Sequence, residues 1–184
     1  MQLTSTQSLP VDQAKAWSAL NDIELLRSAI PGCESITPTA QDEYEVQLMA
    51  AVGPVKARFK GKLRLTDIVP PQSYTIHFEG QGGAAGHGKG SAAIRLEPKG
   101  ANETLLHYDA KASVGGRLAQ VGSRLVDMAA QKMAGEFFST FSEKLRERHA
   151  APSEAPAPAA PAGLWARLVA WWKKVLGQGG GATR

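Results

Sequence analysis

Apolar residues recur along this chain with two different periods, and the switch between them outlines a fold. Residues 2–9, QLTSTQSL, read as a short first strand. From Pro10 and Asp12 the spacing becomes helical, with Val11, Ala14, Trp17, Leu20 and Leu25 recurring on one side. A second short helix over about 22–29 stops before Pro31-Gly32, because proline disfavours helix in the residue preceding it and glycine tolerates the turn. From about 34 to 114 the period falls to two. Tyr44, Val46, Leu48, Ala50 and Val52 alternate with polar neighbours, and Ala57, Phe59, Gly61, Leu63 and Leu65 alternate with Lys56, Arg58, Lys60, Lys62 and Arg64. Tyr74, Ile76 and Phe78 repeat the pattern, as do Leu106, Tyr108, Ala110 and Ala112. Breaks at Gly53-Pro54, Pro70-Pro71, the glycine run 80–90 and Pro98–Asn102 divide these strands.

Past Gly115-Gly116 a long helix is predicted to about His149, its stripe formed by Leu118, Val121, Leu125, Met128, Met133, Phe137, Phe141 and Leu145. The order is one strand, two short helices, about six strands and one long helix. Strict alternation implies an antiparallel sheet with one packed face and one wet face. The sheet and the long helix each bury their apolar side only against the other, which makes an α+β fold.

That interface is built of unusually small residues. On the sheet Ala50, Ala57, Gly61, Ala92, Ala110 and Ala112 face Gly122, Ala129 and Ala130 on the helix. Either larger neighbours (Phe59, Tyr74, Phe78, Tyr108) fill the space, or it remains as a preformed pocket for a hydrophobic small molecule. The candidate walls on the strands are Leu48, Ala50, Phe59, Gly61, Leu63 and Tyr74, continued by Ile76, Phe78, Ile94, Tyr108 and Ala110. On the helix they are Val121, Leu125, Met128, Ala129 and Met133.

Charge changes the picture at the end of the chain. Of 184 residues, 43% are hydrophobic and 21% charged, enough to bury a core, and the formal net charge is +4. Residues 1–149 carry 17 basic against 16 acidic side chains, whereas 150–184 carry Arg167, Lys173, Lys174 and Arg184 against Glu154 alone. A nearly neutral body excludes general nucleic-acid binding, which needs a broad basic footprint. Residues 1–149 form the expected domain; 150–163, with Pro152, Pro156, Pro158 and Pro161, form a spacer that reaches roughly 40 Å when extended.

The stretch 164–177 holds three of the four tryptophans. At 100° per residue Leu164, Trp165, Leu168, Val169, Trp171, Trp172, Val175 and Leu176 share an arc of about 160°. Arg167, Lys173 and Lys174 lie opposite. A helix of about 20 Å is too short for a hydrocarbon core of about 30 Å, so it is expected to lie in the lipid interface, the tryptophans at headgroup depth and Lys173 and Lys174 on anionic lipid. Docking into a partner's groove, or onto the domain itself, is the alternative. Residues 178–184 are read as a disordered tail. The lone Cys33, the lack of a secretory pattern in residues 1–12 and the absence of a long apolar run place the protein in the cytoplasm, peripheral to the inner membrane face.

The stretch AWSALNDIELLRSAIPGCESI (16–36) resembles CoxG, the carbon monoxide dehydrogenase G-subunit family, within the START-like, Bet v 1-like helix-grip (SRPBCC) superfamily. The matching features are Trp17, Leu20, Asn21-Asp22, Leu26 and Ile30-Pro31-Gly32-Cys33, then Gly61, the glycine run before Ser91-Ala92, and Gly115-Gly116. The resemblance covers about residues 1–148. It implies a seven-stranded antiparallel sheet around a long C-terminal helix with a hydrophobic cavity between them. It further implies a non-catalytic protein that recruits a molybdenum hydroxylase, such as carbon monoxide dehydrogenase, to the cytoplasmic membrane and couples it to respiratory quinone. The only cofactor expected is then a non-covalent quinone or other apolar ligand.

Other motifs carry little. Residues 80–91, GQGGAAGHGKGS, nearly spell a phosphate loop, yet Gly90 stands where magnesium coordination needs Ser or Thr and a strand follows. This is read as a hairpin connection. His77, His87, His107 and His149 form no metal-ligand spacing with each other or with Cys33. The inward ionisable groups are read as Tyr44, Tyr74 and Tyr108, a poor set for a cyclase or hydrolase. The basic strand 56–64 is either a solvated face paired with Glu45 and Glu79 or a docking stripe for an acidic partner or lipid headgroups.

Overall fold

The computed structural model describes residues 1–150. A strand, β1 (Gln2–Leu9), leads into two short helices, α1 (Gln13–Leu20) and α2 (Ile23–Ala29). Six strands follow: β2 (Cys33–Ala40), β3 (Glu43–Val52), β4 (Val55–Val69), β5 (Ser73–Gln81), β6 (His87–Gly100) and β7 (Glu103–Gly115). After them come α3 (Arg117–Gln120) and the long α4 (Ser123–His149). Every strand pairing is antiparallel and the sheet order is β1-β7-β6-β5-β4-β3-β2. Because α1 and α2 carry the chain from one edge of the sheet to the other, all later strands pair with their sequence neighbours.

Local chemistry explains where the helices start. Asp12 and Asp22 are extended residues whose carboxylates accept the backbone N–H of Lys15 (2.9 Å) and Leu25 (3.0 Å), satisfying donors that the first helical turn leaves free. The long helix expected from Gly116 onward is broken in two. Gly122 adopts φ +94, which right-handed helix does not allow, so α3 stops and α4 begins at Ser123. The glycine run after β5 is a hairpin connection containing one 3₁₀ turn, Gly83–Ala85.

Two hydrophobic clusters hold the layers together at opposite ends of the sheet. The larger joins Leu9, Val11, Ala16, Leu20, Leu25 and Ala29 to Leu96, Leu106 and the C-terminal half of α4, where Phe141 and Leu145 are 0% exposed. Burying each of these two side chains stabilises the fold by roughly 2–3 kcal/mol. The smaller cluster is Val55, Ala85 and Leu118, with Val52, Phe59 and Val121 packed on it. Between the two, the inward residues of β3–β7 are mostly only half-buried. The larger cluster thus holds the C-terminal half of α4, the smaller one holds α3, and the inner face between them is less filled.

Candidate ligand-binding site

Strand register sets the inner face as successive rows. Tyr74, Ile94 and Tyr108 lie side by side across β5–β7, followed by Leu65, Ile76, Ala92 and Ala110, then by Tyr44, Leu63, Phe78, Gly90 and Ala112. Above the first of these rows α1, α2 and α4 enclose a chamber of about 180 Å³. Its floor is Tyr44, Leu63, Leu65, Tyr74, Ile76, Ile94 and Leu106, and its roof includes Leu20, Leu26, Ile30, Phe137 and Phe138. Aromatic packing fixes the walls. Trp17 meets Tyr74 edge-on at 5.5 Å between ring centres, and Tyr108 stacks on Phe138 at 5.4 Å. Tyr74 is 7% exposed, and burial pushes its phenol pKa up, so it stays protonated and able to donate a hydrogen bond.

Of the anticipated walls, Leu63, Tyr74, Ile76 and Ile94 line this chamber. Tyr108 is buried and stacks on the chamber-lining Phe138, and Ala110 packs against the larger hydrophobic cluster. Leu48, Ala50, Phe59, Gly61 and Phe78 share the inward face as half-buried residues farther along the strands. Val121 packs into the smaller cluster, while Ala129 and Met133 are half-buried on α4.

Leu125 and Met128 are a correction: they are 40% and 57% exposed. At 100° per residue both fall about 150° from the stripe through Phe141 and point off the outer flank of α4, Leu125 lying over Gly53 in the β3–β4 turn.

The outer face is charged. A broad trough of about 1310 Å³ crosses all seven strands, with Lys62, Arg64, Lys89 and Lys111 on one hand and Glu43, Glu45 and Glu79 on the other. It is larger than the inner chamber, but its charged side chains suit a macromolecular surface and not an apolar guest. In the basic strand Arg58 pairs with Glu34 (2.8 Å) and Lys60 with Glu45 (3.1 Å). Lys56, Lys62 and Arg64 have no ion pair among the described residues. His77 and His107 lie on this wet side, His107 beside Thr6 (2.8 Å) and Glu97 (3.2 Å). Among the described residues no His, Cys, Asp and Glu group is arranged to hold a metal. Cys33 is half-buried and burial pushes its thiol pKa up, away from the reactive thiolate.

Comparison with known proteins decides the lineage. A family profile described as the carbon monoxide dehydrogenase G subunit (CoxG) matches residues 6–146. The chain belongs to the CoxG family.

Similar solved structures include a conserved protein from Geobacillus kaustophilus, 28% identical with a TM-score of 0.76, over 80% of this chain and 96% of that one. A START superfamily protein from Mycobacterium smegmatis is 14% identical with a TM-score of 0.62, over 80% and 98% of the two chains. The Zhui aromatase/cyclase from Streptomyces sp. R1128 is 14% identical with a TM-score of 0.61, over 82% and 97%. The likeness to the last two shows the fold alone. The sequence matches none of the curated proteins. The seven-stranded antiparallel sheet and long C-terminal helix form the START-like, Bet v 1-like helix-grip fold that the family resemblance implied.

The CoxG motif residues now have positions. Leu20, Asn21, Leu26 and Ile30 line the chamber roof, so the segment that carries the family resemblance also builds the pocket. Gly32 sits against the Met49 carbonyl, where a side chain has no room, and its own carbonyl accepts the Met49 N–H at 2.9 Å. Periodicity in one strand or helix could not have placed Leu20, Leu26 and Ile30 over β4–β6. One inward polar group was also missed: Asp127 is half-buried, and its Oδ1 is fully buried without a hydrogen-bond partner among the described residues. Its signal was available, since Asp127 falls on the same wheel arc as Val126, Ala130 and Phe141. Among the described residues no helix is long and apolar enough to cross a membrane. Leu164, Trp165 and the rest of the predicted membrane segment lie outside the described residues.

Proposed function

We propose that this CoxG-family chain is a non-catalytic adaptor that holds a respiratory quinone, or a similar apolar ligand, between its sheet and α4. In the same reading it brings a molybdenum hydroxylase of the carbon monoxide dehydrogenase type to the cytoplasmic membrane and links it to the quinone pool. The observation that carries this is the chamber: apart from Asn21 its lining is aliphatic and aromatic, and its other polar side-chain groups are the hydroxyls of Tyr44 and Tyr74. Acid–base catalysis needs a donor and an acceptor within hydrogen-bond reach of one reacting atom. On the inner face, Asp127 has no hydrogen-bonded partner to complete such a pair among the described residues. The family's description as a component of carbon monoxide dehydrogenase supports the accessory role. The sequence of 164–176, whose tryptophans and lysines fall on opposite sides of a helical wheel, supports a landing site on anionic lipid.

Solvent extraction of the purified full chain followed by mass spectrometry tests the ligand, and a quinone is the expected finding. Capture of the hydroxylase from membranes, with and without residues 150–184, tests the adaptor role. The truncated chain is expected to hold the enzyme in solution and to lose it from the membrane fraction. Extraction of a lipid with no enzyme captured by either form points instead to a plain carrier, and turnover of the extracted compound by the protein alone points to a cyclase or hydrolase.

A further inference from the structure

The sheet ends in two strands, β1 and β2, that each have one neighbour among the described residues. An edge strand offers unpaired backbone groups to other chains, and folds ordinarily blunt it with proline, charge or a bulge. The β2 edge carries all three. Pro38 lacks an N–H, Glu34 adds charge, and the pairing with β3 slips between Cys33 and Ser35 and again between Pro38 and Ala40. The β1 edge carries none. Its sequence, QLTSTQSL, holds no charged side chain and no proline, and its eight residues pair with β7 without a register shift.

Hydrogen-bond geometry identifies the groups that face outward along this edge. Met1 and Ala112 exchange both backbone bonds, each at 3.0 Å. Antiparallel partners alternate between bonded and non-bonded pairs, so Leu3, Ser5, Gln7 and Leu9 are the residues that bond to β7. The N–H and C=O groups of Gln2, Thr4, Thr6 and Ser8 therefore point away from β7, and no described residue hydrogen-bonds to them. Their side chains turn the other way. Gln2 and Thr4 reach Asp109, Thr6 reaches His107 at 2.8 Å and Ser8 reaches Glu103 at 2.7 Å, all on β7. Leu9 in the larger cluster, with Leu3 packed against it, anchors the strand in the sheet. The edge is held in place and uncapped by its own side chains.

It is also complementary to itself. When two β1 strands pair antiparallel with a two-fold axis at Ser5, Thr4 of one copy stands opposite Thr6 of the other, and Gln2 opposite Ser8. All four edge-facing residues of each copy then exchange backbone bonds, while Ser5 meets Ser5 as a non-bonded pair. Threonine pairs across strands add to such a ladder, and no like charges face each other. Sliding the register by two residues one way sets Gln2 opposite Pro10, which has no N–H. Sliding it the other way carries Ser8 past the end of the strand.

We propose that β1 is a self-association edge, two copies of the chain pairing β1 to β1 about Ser5 into a two-fold dimer with one continuous sheet. Closed two-fold dimers are the commonest assembly of identical chains. Each dimer carries two copies of the segment 164–176, which multiplies the hold on any surface that segment binds. That avidity rests on the lipid reading of the segment, whereas the dimer does not.

Sedimentation velocity of the full chain over a concentration series tests the proposal, with monomer–dimer exchange expected. Thr4→Lys combined with Thr6→Lys sets lysine against lysine and should weaken the dimer by at least about tenfold at low salt. A second chain carrying Thr4→Glu and Thr6→Glu should associate with that variant when the two are mixed, because each lysine then faces a glutamate. Ser5→Cys reads the register without added charge. In a Cys33→Ser background it should link chain to chain under mild oxidation, since non-bonded antiparallel partners bring Cα atoms to about 4.5 Å, within disulfide reach. Gln7→Cys, which faces Leu3 of the other copy, should not. A wild-type chain that stays monomeric throughout the series, or a dimer that the paired lysines leave unchanged, overturns the edge assignment. Cross-linking through Gln7→Cys in preference to Ser5→Cys overturns the two-fold at Ser5.

Discussion

Arg148, in the last turn of α4, places a guanidinium nitrogen 2.6 Å from Oδ2 of Asp22, whose other oxygen caps α2 by accepting the Leu25 N–H at 3.0 Å. One carboxylate thus joins the start of α2 to the end of the helix that the sheet grips. Its pKa is held below the ordinary aspartate value, first by the Arg148 hydrogen bond and then by the Leu25 amide. A depressed carboxylate pKa contributes stability that is present at neutral pH and lost as pH falls through the acid range. Asp22→Ala should therefore cost about 1 kcal/mol for the cap and less than that for the partly exposed ion pair. Asp22→Asn keeps the cap and should lose only the smaller part. Melting temperatures measured from pH 7 to pH 2 should show wild type above Asp22→Asn at neutral pH, with the gap closing below about pH 4 as Asp22 protonates.

Two glycines on β6, two residues apart, should respond differently to the same substitution. A Cβ on Gly90 would run into the Lys111 carbonyl of the paired strand and come within 2.9 Å of the Ala112 Cα and 2.7 Å of the Phe78 ring. The ring tip can move, but the carbonyl belongs to the β6–β7 ladder. On Gly88 the nearest atoms are at 3.6 Å, ordinary contact. Gly90→Ala should destabilise by about 2 kcal/mol, whereas Gly88→Ala should be neutral or stabilise by about 0.5 kcal/mol through the unfolded chain. Urea denaturation of the two variants measures the difference.

The contrast between these glycines also marks what the sequence made legible. Alternation in β4, from Ala57 to Leu65 against Lys56 to Arg64, identified both the strand and its wet face because one side packs and the other does not. Pro31 ended α2 because proline constrains the residue before it. The break at Gly122 was hidden, since apolar positions continue across it from Leu118 to Val126. Leu125 and Met128 were placed inside because a stripe allowed to step by three, four or five residues absorbs the drift of a real helix. The chamber roof over β4–β6 and the alignment of Gly61 with Gly80 and Gly88 depend on register and helix docking, which no single segment encodes.

Phe138 and Phe141 lie in the same helix face but serve different ends. Phe141 is 0% exposed in the large cluster, stacked near Phe137 at 5.3 Å, whereas Phe138 is half-buried, stacks on Tyr108 and lines the chamber. Phe141→Ala should cost about 4 kcal/mol, close to the whole margin of a marginal domain. Phe138→Ala should cost less and enlarge the chamber. The expected outcome is a folded variant, by circular dichroism, that binds a two-ring naphthoquinone better than wild type does.

The unpaired cations of β4 allow the outer face to be tested apart from the fold. Lys62 stands between Glu45 and Glu79 in the strand register, yet Glu45 is engaged by Lys60, and Arg64 has no acidic partner within salt-bridge distance among the described residues. Reversing solvated charges that hold nothing in place changes stability by less than about 0.5 kcal/mol. Lys62→Glu with Arg64→Glu should therefore melt at the wild-type temperature. If the trough is where an acidic surface of the hydroxylase docks, the same variant should associate at least tenfold more slowly at low salt, the gap shrinking as salt screens the attraction. Surface plasmon resonance against the purified hydroxylase, from low to high ionic strength, reads both effects. Arg58→Glu is the internal comparison, because it breaks an existing pair with Glu34 outside the trough and should shift stability slightly without slowing association as much.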